Sequence, residues 1–444
     1  MNNTMINAFD PTTLDQLDPV SRALVDRRLQ VLGPAYRLFY EQPLHLVRGS
    51  GVWLYDADGQ AYLDAYNNVA SLGHAQPDVV RAIAEQSATL VTHTRYLHAG
   101  VLRLAERLLA TMPSALGQVM FTCTGSEAND LAYRLARSVT GHTGVIVTNL
   151  AYHGVTDSVA EFSPSLGNGV PLGAHVRTVP PPDAYRGERD VAGAFARAVT
   201  AAAADLARCG HGLALLIVDS IFSSDGVYAD PPGCLAPAVA AARAAGGLYV
   251  ADEVQPGFGR TGETFWGFQR HQVVPDLVTL GKPMGNGYPV AALVAQPRHL
   301  ERFGREARYF NTFGGNPVAA AAANAVLDVI ERDALMQNAH RVGRALRSAL
   351  WELARRHETI GDVRGAGLFI GVDLVTDRDS KTPHRALTST VVNALRERRI
   401  LLSASGPGGN VLKIRPPLVF EQSHADLLVS ALDEILNADR SGSA

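Results

Sequence analysis

The sequence predicts an α/β fold in which helices cover a mainly parallel β-sheet. From about Pro77 onward, helical stretches alternate with short apolar segments of the length that buried strands have. The chain has 444 residues, of which 47% are hydrophobic and 19% are charged. That length exceeds the needs of one simple core, so we expect a large domain joined to a smaller one.

The predicted elements follow one another along the chain. Residues 19–33 combine mixed charge with apolar periodicity, which predicts a helical arm, and the Asp-Gly turn within 51–64 predicts a β-hairpin. The alternating region then predicts helices at 78–90, 100–111, 127–138, 191–208 and 234–245, and strands at 118–122, 144–148, 213–219, 247–252, 276–280 and 290–295. The region is typical of βα units wound into one sheet.

The sequence pattern changes again at Pro317. It predicts helices to about Glu331 and at 334–357, strands near 368–375 and 411–414, and a closing helix at 422–437. We expect residues 1–70 to form an N-terminal arm and part of the small domain. Residues 71–320 form the large domain, and residues 321–444 complete the small one, which is therefore an α+β unit built from both ends of the chain.

Composition also excludes several classes of partner. The formal net charge is −3, so no broad basic excess would attract nucleic acid or a membrane surface. The three cysteines, Cys123, Cys209 and Cys234, form no CxxC pair, which fits a reducing compartment. The N-terminus shows no basic segment followed by an apolar run. We therefore expect a cytoplasmic protein.

The first candidate site lies at Thr122–Asp130, where a predicted strand ends and a helix begins. Thr124 and Glu127 have the spacing of a capping box. Free N–H groups and the positive dipole end at such a helix start bind phosphate in many proteins. Taken alone, the same residues also fit an ordinary capped helix.

Asp252 is the second candidate, because it comes directly after the apolar strand residues 248–251. Ligands of open α/β sheets bind at the carboxyl ends of strands. A carboxylate there can pair with a ring N–H of a cofactor, although an acidic pair opening a solvent loop is the alternative.

Lys282 is the third, since it lies between glycines just after another apolar strand. A lysine desolvated in such a loop can form an imine, whereas an isolated loop lysine is usually a surface residue. The order of the three motifs, with Lys282 thirty residues after Asp252, favours a shared site.

Together these motifs resemble those of the class III aminotransferases, which are pyridoxal 5′-phosphate (PLP) enzymes of fold type I. The resemblance extends from about residue 35 to 437. It rests on Thr124-Gly-Ser-Glu-Ala-Asn129, Ala151-Tyr-His-Gly154, Ala251-Asp-Glu-Val-Gln255, Gly281-Lys282 and Asn311-Thr-Phe-Gly-Gly-Asn-Pro317. It implies PLP as cofactor, a seven-stranded type of sheet in the large domain, and a homodimer with active sites shared across the interface.

The family also implies a role for each matching residue. The resemblance implies that Gly125 and Ser126 contact the cofactor phosphate, and that Tyr152, with His153 beside it, stacks on the cofactor ring. It implies that Asp252 pairs with the ring nitrogen and that Gln255 lies near the ring hydroxyl. It also implies that Lys282 forms the Schiff base and transfers the proton, and that Thr312 contacts the cofactor phosphate in the neighbouring subunit. Tyr152 and His153 also fit core residues, and Thr312 also fits a turn before two glycines.

Four further segments resemble one branch of this family, the ethanolamine-phosphate phospho-lyases. They are 67–74, 181–187, 281–287 and 402–417. This resemblance implies β-elimination of phosphate from O-phosphoethanolamine, with acetaldehyde and ammonia as the other products. Lys282 would remove the proton from the carbon that bears nitrogen.

Asp219 offers a second indication of a lyase. Most class III transaminases have Glu-Pro here, and the glutamate often pairs with the substrate-binding arginine. Asp219 is shorter and precedes Ser220, so we expect Arg415 to be free for a substrate phosphate, although an aspartate could still reach it. Further candidates for the substrate are Asn68, Arg186 and, more weakly, Lys413, while Arg415 could instead be a surface charge.

Two other functions stay open at this stage. The same PLP site supports an ω-amino-acid or amine:keto-acid transaminase. A binding or regulatory protein that kept the fold is the third hypothesis. Within the lyase hypothesis, the small phosphorylated amine could also be a close analogue such as phosphohydroxylysine.

Overall fold

The computed structural model describes residues 5–442 and contains three β-sheets among its helices. The strands are β1 (Leu46–Ser50), β2 (Trp53–Asp56), β3 (Ala61–Asp64), β4 (Gln118–Thr122), β5 (Gly144–Thr148), β6 (Val176–Val179), β7 (Leu213–Asp219), β8 (Leu248–Asp252), β9 (Leu277–Leu280), β10 (Ala291–Ala295), β11 (Ile360–Ala366), β12 (Phe369–Leu374), β13 (Ile400–Leu401), β14 (Ser403–Ser405) and β15 (Val411–Ile414).

Twelve α-helices accompany these strands in the described part of the chain. They are α1 (Pro19–Leu32), α2 (Pro77–Thr89), α3 (Ala99–Ala110), α4 (Gly125–Thr140), α5 (Asp157–Ala160), α6 (Val191–Arg208), α7 (Ala236–Ala244), α8 (Pro297–Glu306), α9 (Pro317–Arg332), α10 (Leu335–Arg356), α11 (Arg385–Glu397) and α12 (Gln422–Gly442). None of the helices within residues 5–442 has both the length and the apolar character that crossing a bilayer requires.

The central sheet has seven strands in the order β4-β10-β9-β8-β7-β5-β6. Its strands run parallel except β10, which is antiparallel to both of its neighbours. The predicted α/β class with a mainly parallel sheet is therefore confirmed. All seven strands lie between residues 118 and 295, inside the range proposed for the large domain.

Both faces of this sheet are covered. In β7, Leu216 and Val218 pack into one hydrophobic cluster, whereas Leu215 and Ile217 pack into another. Successive side chains of a strand point to opposite faces, so a strand buried on both sides must be apolar throughout. This explains why β7 is an uninterrupted apolar run in the sequence.

Two smaller four-stranded sheets contain the remaining strands, in the orders β1-β2-β3-β13 and β11-β12-β15-β14. The predicted hairpin is present as β2 and β3, and the structure adds β1 in front of it. Strand β13 pairs in parallel with β3, where Ile400 lies opposite Leu63. Segments from both ends of the chain thus meet in one sheet, and the division into a large and a small domain stays a prediction.

The register of the central sheet determines where the site forms. Asp219, the last residue of β7, lies opposite Asp252, the last residue of β8, and Asp252 lies opposite Thr279 of β9. Lys282 comes two residues after the end of β9 and begins a short 3₁₀ helix, Lys282–Gly285. Three chemically distinctive residues therefore leave the sheet at the same edge, where open α/β sheets bind ligands.

Candidate active site

Lys282 lines two cavities at the carboxyl edge of the central sheet. The first, of about 280 Å³, is also lined by Gly125, Tyr152 and Asp252. The second, of about 410 Å³, is bounded on one side by apolar residues of segment 38–54 and on the other by Asn68 and Arg415. A group held at Lys282 is thus accessible from both cavities, of which the second is the more apolar.

Lys282 has the environment of a nucleophilic amine. Burial, and secondly the charge of Arg415, lower its pKa to about 8, against the opposing effect of Asp252 and Asp219. Its Nζ lies 5.7 Å from the centroid of the Tyr152 ring, and none of the hydrogen bonds or ion pairs found within residues 5–442 involves Nζ. A lowered pKa leaves an appreciable fraction of neutral amine near pH 7, which imine formation requires.

The start of α4 forms a cradle for an anion. Thr124 accepts a hydrogen bond from the Glu127 N–H, and the Glu127 carboxylate accepts from the Thr124 N–H, which is the predicted capping box. Residues Gly125 and Ser126 lie within the first turn, where helix N–H groups lack carbonyl partners and can bind phosphate.

The cradle is closed by the loop that carries Tyr152. A Cβ added to Gly154 would lie 2.5–2.7 Å from atoms of Ser126, and Gly154 has φ +143°. The Ser126 hydroxyl accepts the Val155 N–H at 3.1 Å. Glycine at 154 is therefore needed for the loop to approach α4, and the approach brings the Tyr152 ring to the cavity wall.

Asp252 is held by three donors. Its Oδ2 accepts from His153 Nδ1 at 2.7 Å and from Asn129 Nδ2 at 3.0 Å, and its Oδ1 accepts the Val254 N–H at 3.1 Å. Asn129 also donates to the His153 carbonyl at 2.7 Å, so it joins the two. The sequence motif contained Asn129, but its role as an orienting residue was not predicted because its partners lie up to 123 positions away.

The first cavity fits PLP feature by feature. It offers a helix start for a phosphate, an aromatic face at Tyr152 for a ring, a buried carboxylate at Asp252 for a ring nitrogen, and an amine at Lys282 for an aldehyde. His153 lines this cavity but also holds Asp252 from behind, so its main contact is with that carboxylate.

Gln255 and Arg415 connect the two cavities. Arg415 Nη1 donates to Gln255 Oε1 at 2.5 Å and to Asn68 Oδ1 at 3.1 Å, and the guanidinium stacks on the Tyr66 ring at 4.2 Å. Gln255 Nε2 donates to Ser223 Oγ at 2.5 Å. Gln255 was predicted near the ring hydroxyl, and in this structure its amide is held between Ser223 and Arg415.

The guanidinium of Arg415 keeps one edge free. Both contacts from Nη1 go to neutral amide oxygens, while the buried Nε has no partner within residues 5–442, and neither has Asn68 Nδ2. In the part of the chain that the structure describes, no ion pair joins Asp219 to Arg415, and the Asp219 carboxylate instead accepts the N–H groups of Ile221 and Ser223, both at 3.0 Å. Nε and Nη2 form the side of a guanidinium that binds phosphate or carboxylate with two parallel bonds.

Arg186 is paired with a buried carboxylate of the four-stranded sheet β11-β12-β15-β14. Its guanidinium binds both oxygens of Asp373, at 2.6 and 2.7 Å, and also donates to the Lys381 carbonyl. It lines neither cavity, because a buried carboxylate 187 positions away in the sequence holds it elsewhere. In this subunit Arg186 therefore lies away from both cavities, and its substrate contact stays a prediction.

Thr312 is exposed and lines neither cavity. Its predicted contact is with the phosphate of a neighbouring subunit, and it stays a prediction.

Comparisons with known proteins agree with this geometry. A family model described as aminotransferase class-III matches residues 39–436. The chain is 42% identical over 425 residues to an alanine–glyoxylate aminotransferase 2-like protein of Drosophila melanogaster, covering 93% of this chain and 86% of the relative. It is 38% identical over 434 residues to ethanolamine-phosphate phospho-lyase homolog 1 of Caenorhabditis elegans, covering 93% of each.

One solved structure is similar over nearly the whole chain. It is a phospholyase from Arthrobacter in complex with phosphoethanolamine, with a TM-score of 0.90 and 47% identity. The match covers 94% of this chain and 99% of that one.

Proposed function

The chain belongs to the class III aminotransferase family of fold type I, its cofactor is PLP, and we propose that it is a phospho-lyase acting on O-phosphoethanolamine. The products would be acetaldehyde, ammonia and inorganic phosphate. Relatives named as phospho-lyases, and the phosphoethanolamine bound in the Arthrobacter structure, support a small phosphorylated amine as substrate.

The free edge of Arg415 is the observation that carries this proposal. A transaminase that accepts both a neutral amine and an acidic keto acid benefits from a carboxylate that neutralises the arginine between substrates. Here the neighbours of the guanidinium are neutral amides, and Asp219 is bonded to its own turn. A permanent positive charge suits an enzyme whose substrate carries an anion and which needs no second amino acid.

Each residue of the site would have a distinct part in the reaction. Bound PLP supplies an electron sink for the carbanion that develops at the substrate carbon bearing nitrogen. Lys282 Nζ removes the proton from that carbon, while Asp252, fixed by His153 and Asn129, holds the ring nitrogen. Arg415 and Asn68 bind the phosphate through charge-assisted bonds as the carbon–oxygen bond breaks and its electrons leave with phosphate. Water then converts the two-carbon remainder to acetaldehyde and ammonia.

Transamination is the second candidate function, since the 42% identical relative is named as an aminotransferase. Lys282 would remove the same proton in both reactions. The two reactions differ in the next step, because a lyase expels the neighbouring group, whereas a transaminase returns the proton to the cofactor and requires a keto acid.

One assay separates the two. The PLP-loaded protein is incubated with phosphoethanolamine and no keto acid, and phosphate and acetaldehyde are measured together. We expect them to appear in equal amounts, and the Lys282→Ala variant to release neither. Amine loss that begins only when pyruvate or 2-oxoglutarate is added would show a transaminase instead.

We also propose a homodimer with shared active sites. Apolar side chains near Thr312 are unusually exposed, among them Tyr96 at 66%, Leu97 at 97% and Phe313 at 70%. Exposed apolar groups of this size mark surfaces that another subunit covers. A second copy on this face would bring Thr312 to the neighbouring cofactor site.

A further inference from the structure

Lys413 is a buried amine close to Arg415 that takes no part in the reaction outlined above. It lies on β15, two residues before Arg415, and only 6% of its surface is exposed. Its Nζ lies 5.6 Å from the centroid of the Phe369 ring. No hydrogen bond or ion pair to Nζ is found within residues 5–442, and Lys413 lines neither cavity, so it is not placed to be a direct phosphate ligand.

The choice of lysine at this position is informative. The chain contains 37 arginines and only 3 lysines, which are Lys282, Lys381 and Lys413. Arginine therefore supplies nearly every cation in this protein. Arginine stays protonated at all physiological pH values, whereas a buried lysine can lose its proton and regain it. At the position of Lys413 the protein therefore has a buried cation that can change its charge.

The charged groups around Lys413 come from three elements. Arg415 lies two residues beyond it on the chain, and Lys282 comes from the loop after β9. Asp219 ends β7, and Asp225 lies in the turn that follows. The two pairing neighbours on adjacent strands, Gly371 and Ser403, have no titratable side chain.

Both carboxylates near Lys413 are already engaged elsewhere. Asp225 accepts from the Thr148 hydroxyl at 2.6 Å and from the Leu150 N–H at 2.9 Å, and Asp219 accepts from its own turn. Burial, and secondly the charge of Arg415, lower the pKa of Lys413 well below its usual value.

We propose that Lys413 takes up a proton when a dianion binds at Arg415, and that this uptake makes the site select a phosphate monoester over a carboxylate. The inference deepens the proposed function by assigning a residue to substrate selection. The uptake of a proton depends only on the charge of the bound anion, so it should occur with any dianion at Arg415.

The selection results from charge balance. A phosphate dianion brings two negative charges, and Arg415 offers one positive charge to meet them. Lys413 is placed to supply the second, because the arriving anion offsets the charge of Arg415, which after burial is the second cause of the lowered pKa of this amine. A carboxylate brings one charge, which Arg415 balances without help. Affinity for a dianion should therefore fall as pH rises from the lowered pKa of Lys413 in the empty site to its higher pKa in the occupied site, and affinity for a monoanion should not.

Calorimetric titration of the PLP-loaded protein tests this proposal. Sulfate is the dianion probe, since it does not titrate at any pH where the protein is folded, and acetate is the monoanion probe. Each titration is run in two buffers of different ionisation enthalpy, which gives the number of protons taken up per bound anion. We expect about one more proton for sulfate in the wild type than in Lys413→Met, and no such difference for acetate.

Two controls keep the result specific to Lys413. Protonation changes of the cofactor are monitored by absorbance and should be the same in both proteins. Lys413→Arg, which keeps the charge but cannot release the proton, should bind sulfate without the lysine-dependent uptake.

Equal uptake in wild type and Lys413→Met, or equal uptake for sulfate and acetate, would overturn the inference while leaving the proposed reaction intact. Conversely, lysine-dependent uptake together with no phosphate release from phosphoethanolamine would refute the proposed reaction and not the proton uptake.

Discussion

Replacing Arg415 with methionine tests the substrate site most directly. Methionine keeps much of the side-chain volume against Tyr66 but removes the free Nε–Nη2 edge. Each hydrogen bond from a charged donor contributes about 1.5–3 kcal/mol. Two such bonds are lost, but Asn68 remains to bind the phosphate, so we expect a net loss of about 2–4 kcal/mol. Since about 1.4 kcal/mol corresponds to tenfold, kcat/KM for phosphoethanolamine should fall about 30- to 1,000-fold.

The assay is phosphate release at several phosphoethanolamine concentrations, with cofactor loading checked by absorbance. Most of the loss should be in KM, because the phosphate is bound before and during the reaction. Arg48→Met is the matched control: Arg48 also stacks on a tyrosine, at 3.5 Å from the Tyr55 ring, but lines neither cavity. It should retain activity within about twofold. A loss below about fivefold in a PLP-loaded Arg415→Met protein would refute the assignment of Arg415 as the phosphate site.

Three further predictions concern the cofactor site. In protein freed of PLP, the rate at which Lys282 reacts covalently with added PLP should rise with pH up to about 8 and then level off, because only the neutral amine reacts. A rate that continued to rise to about pH 10 would contradict the lowered pKa of Lys282. Asp252→Asn should lower kcat by about 100-fold, since breaking a buried charged pair costs several kcal/mol, and it should shift the absorbance of bound PLP. A kcat within about threefold of wild type would argue against Asp252 as the partner of the ring nitrogen. Mixing inactive Lys282→Ala and Thr312→Ala subunits should restore about a quarter of the wild-type activity. Half of the dimers then contain one subunit of each kind, and each such dimer has one intact site of two. No recovery of activity would argue against sites shared between subunits.

The sequence could predict which residues meet around Lys282 in the first cavity, because their signals are local. An apolar run that ends directly in a polar residue indicates the carboxyl end of a buried strand, and Asp252 and Lys282 both come after such runs. Gly125 and Ser126 were recognisable in the same way, from the capping-box spacing at Thr124. Parallel strands place these ends at one edge, so the residues meet without any further information.

Contacts across long separations could not be predicted. In the sequence Arg186 resembled a cation without a partner, but in the structure it forms an ion pair with Asp373. Nothing near Arg186 in the sequence indicates a partner 187 residues away. Edge strand β6 was missed because only four residues form it and one is Arg177, which breaks the apolar pattern. The hydrogen bonds that link Ser223, Gln255 and Arg415 could not be predicted either, because the bonded residues are 32 and 160 positions apart in the sequence.

The bond between Asn68 and Arg415 has a consequence for how the protein is made. The two residues are separated by 347 positions, whereas the residues predicted to hold the cofactor within one subunit lie between 125 and 282. The ribosome therefore synthesises these cofactor residues before it reaches Arg415. The bond from Arg415 to Asn68, which helps to position the guanidinium for a substrate anion, can form only after nearly the whole chain has been made.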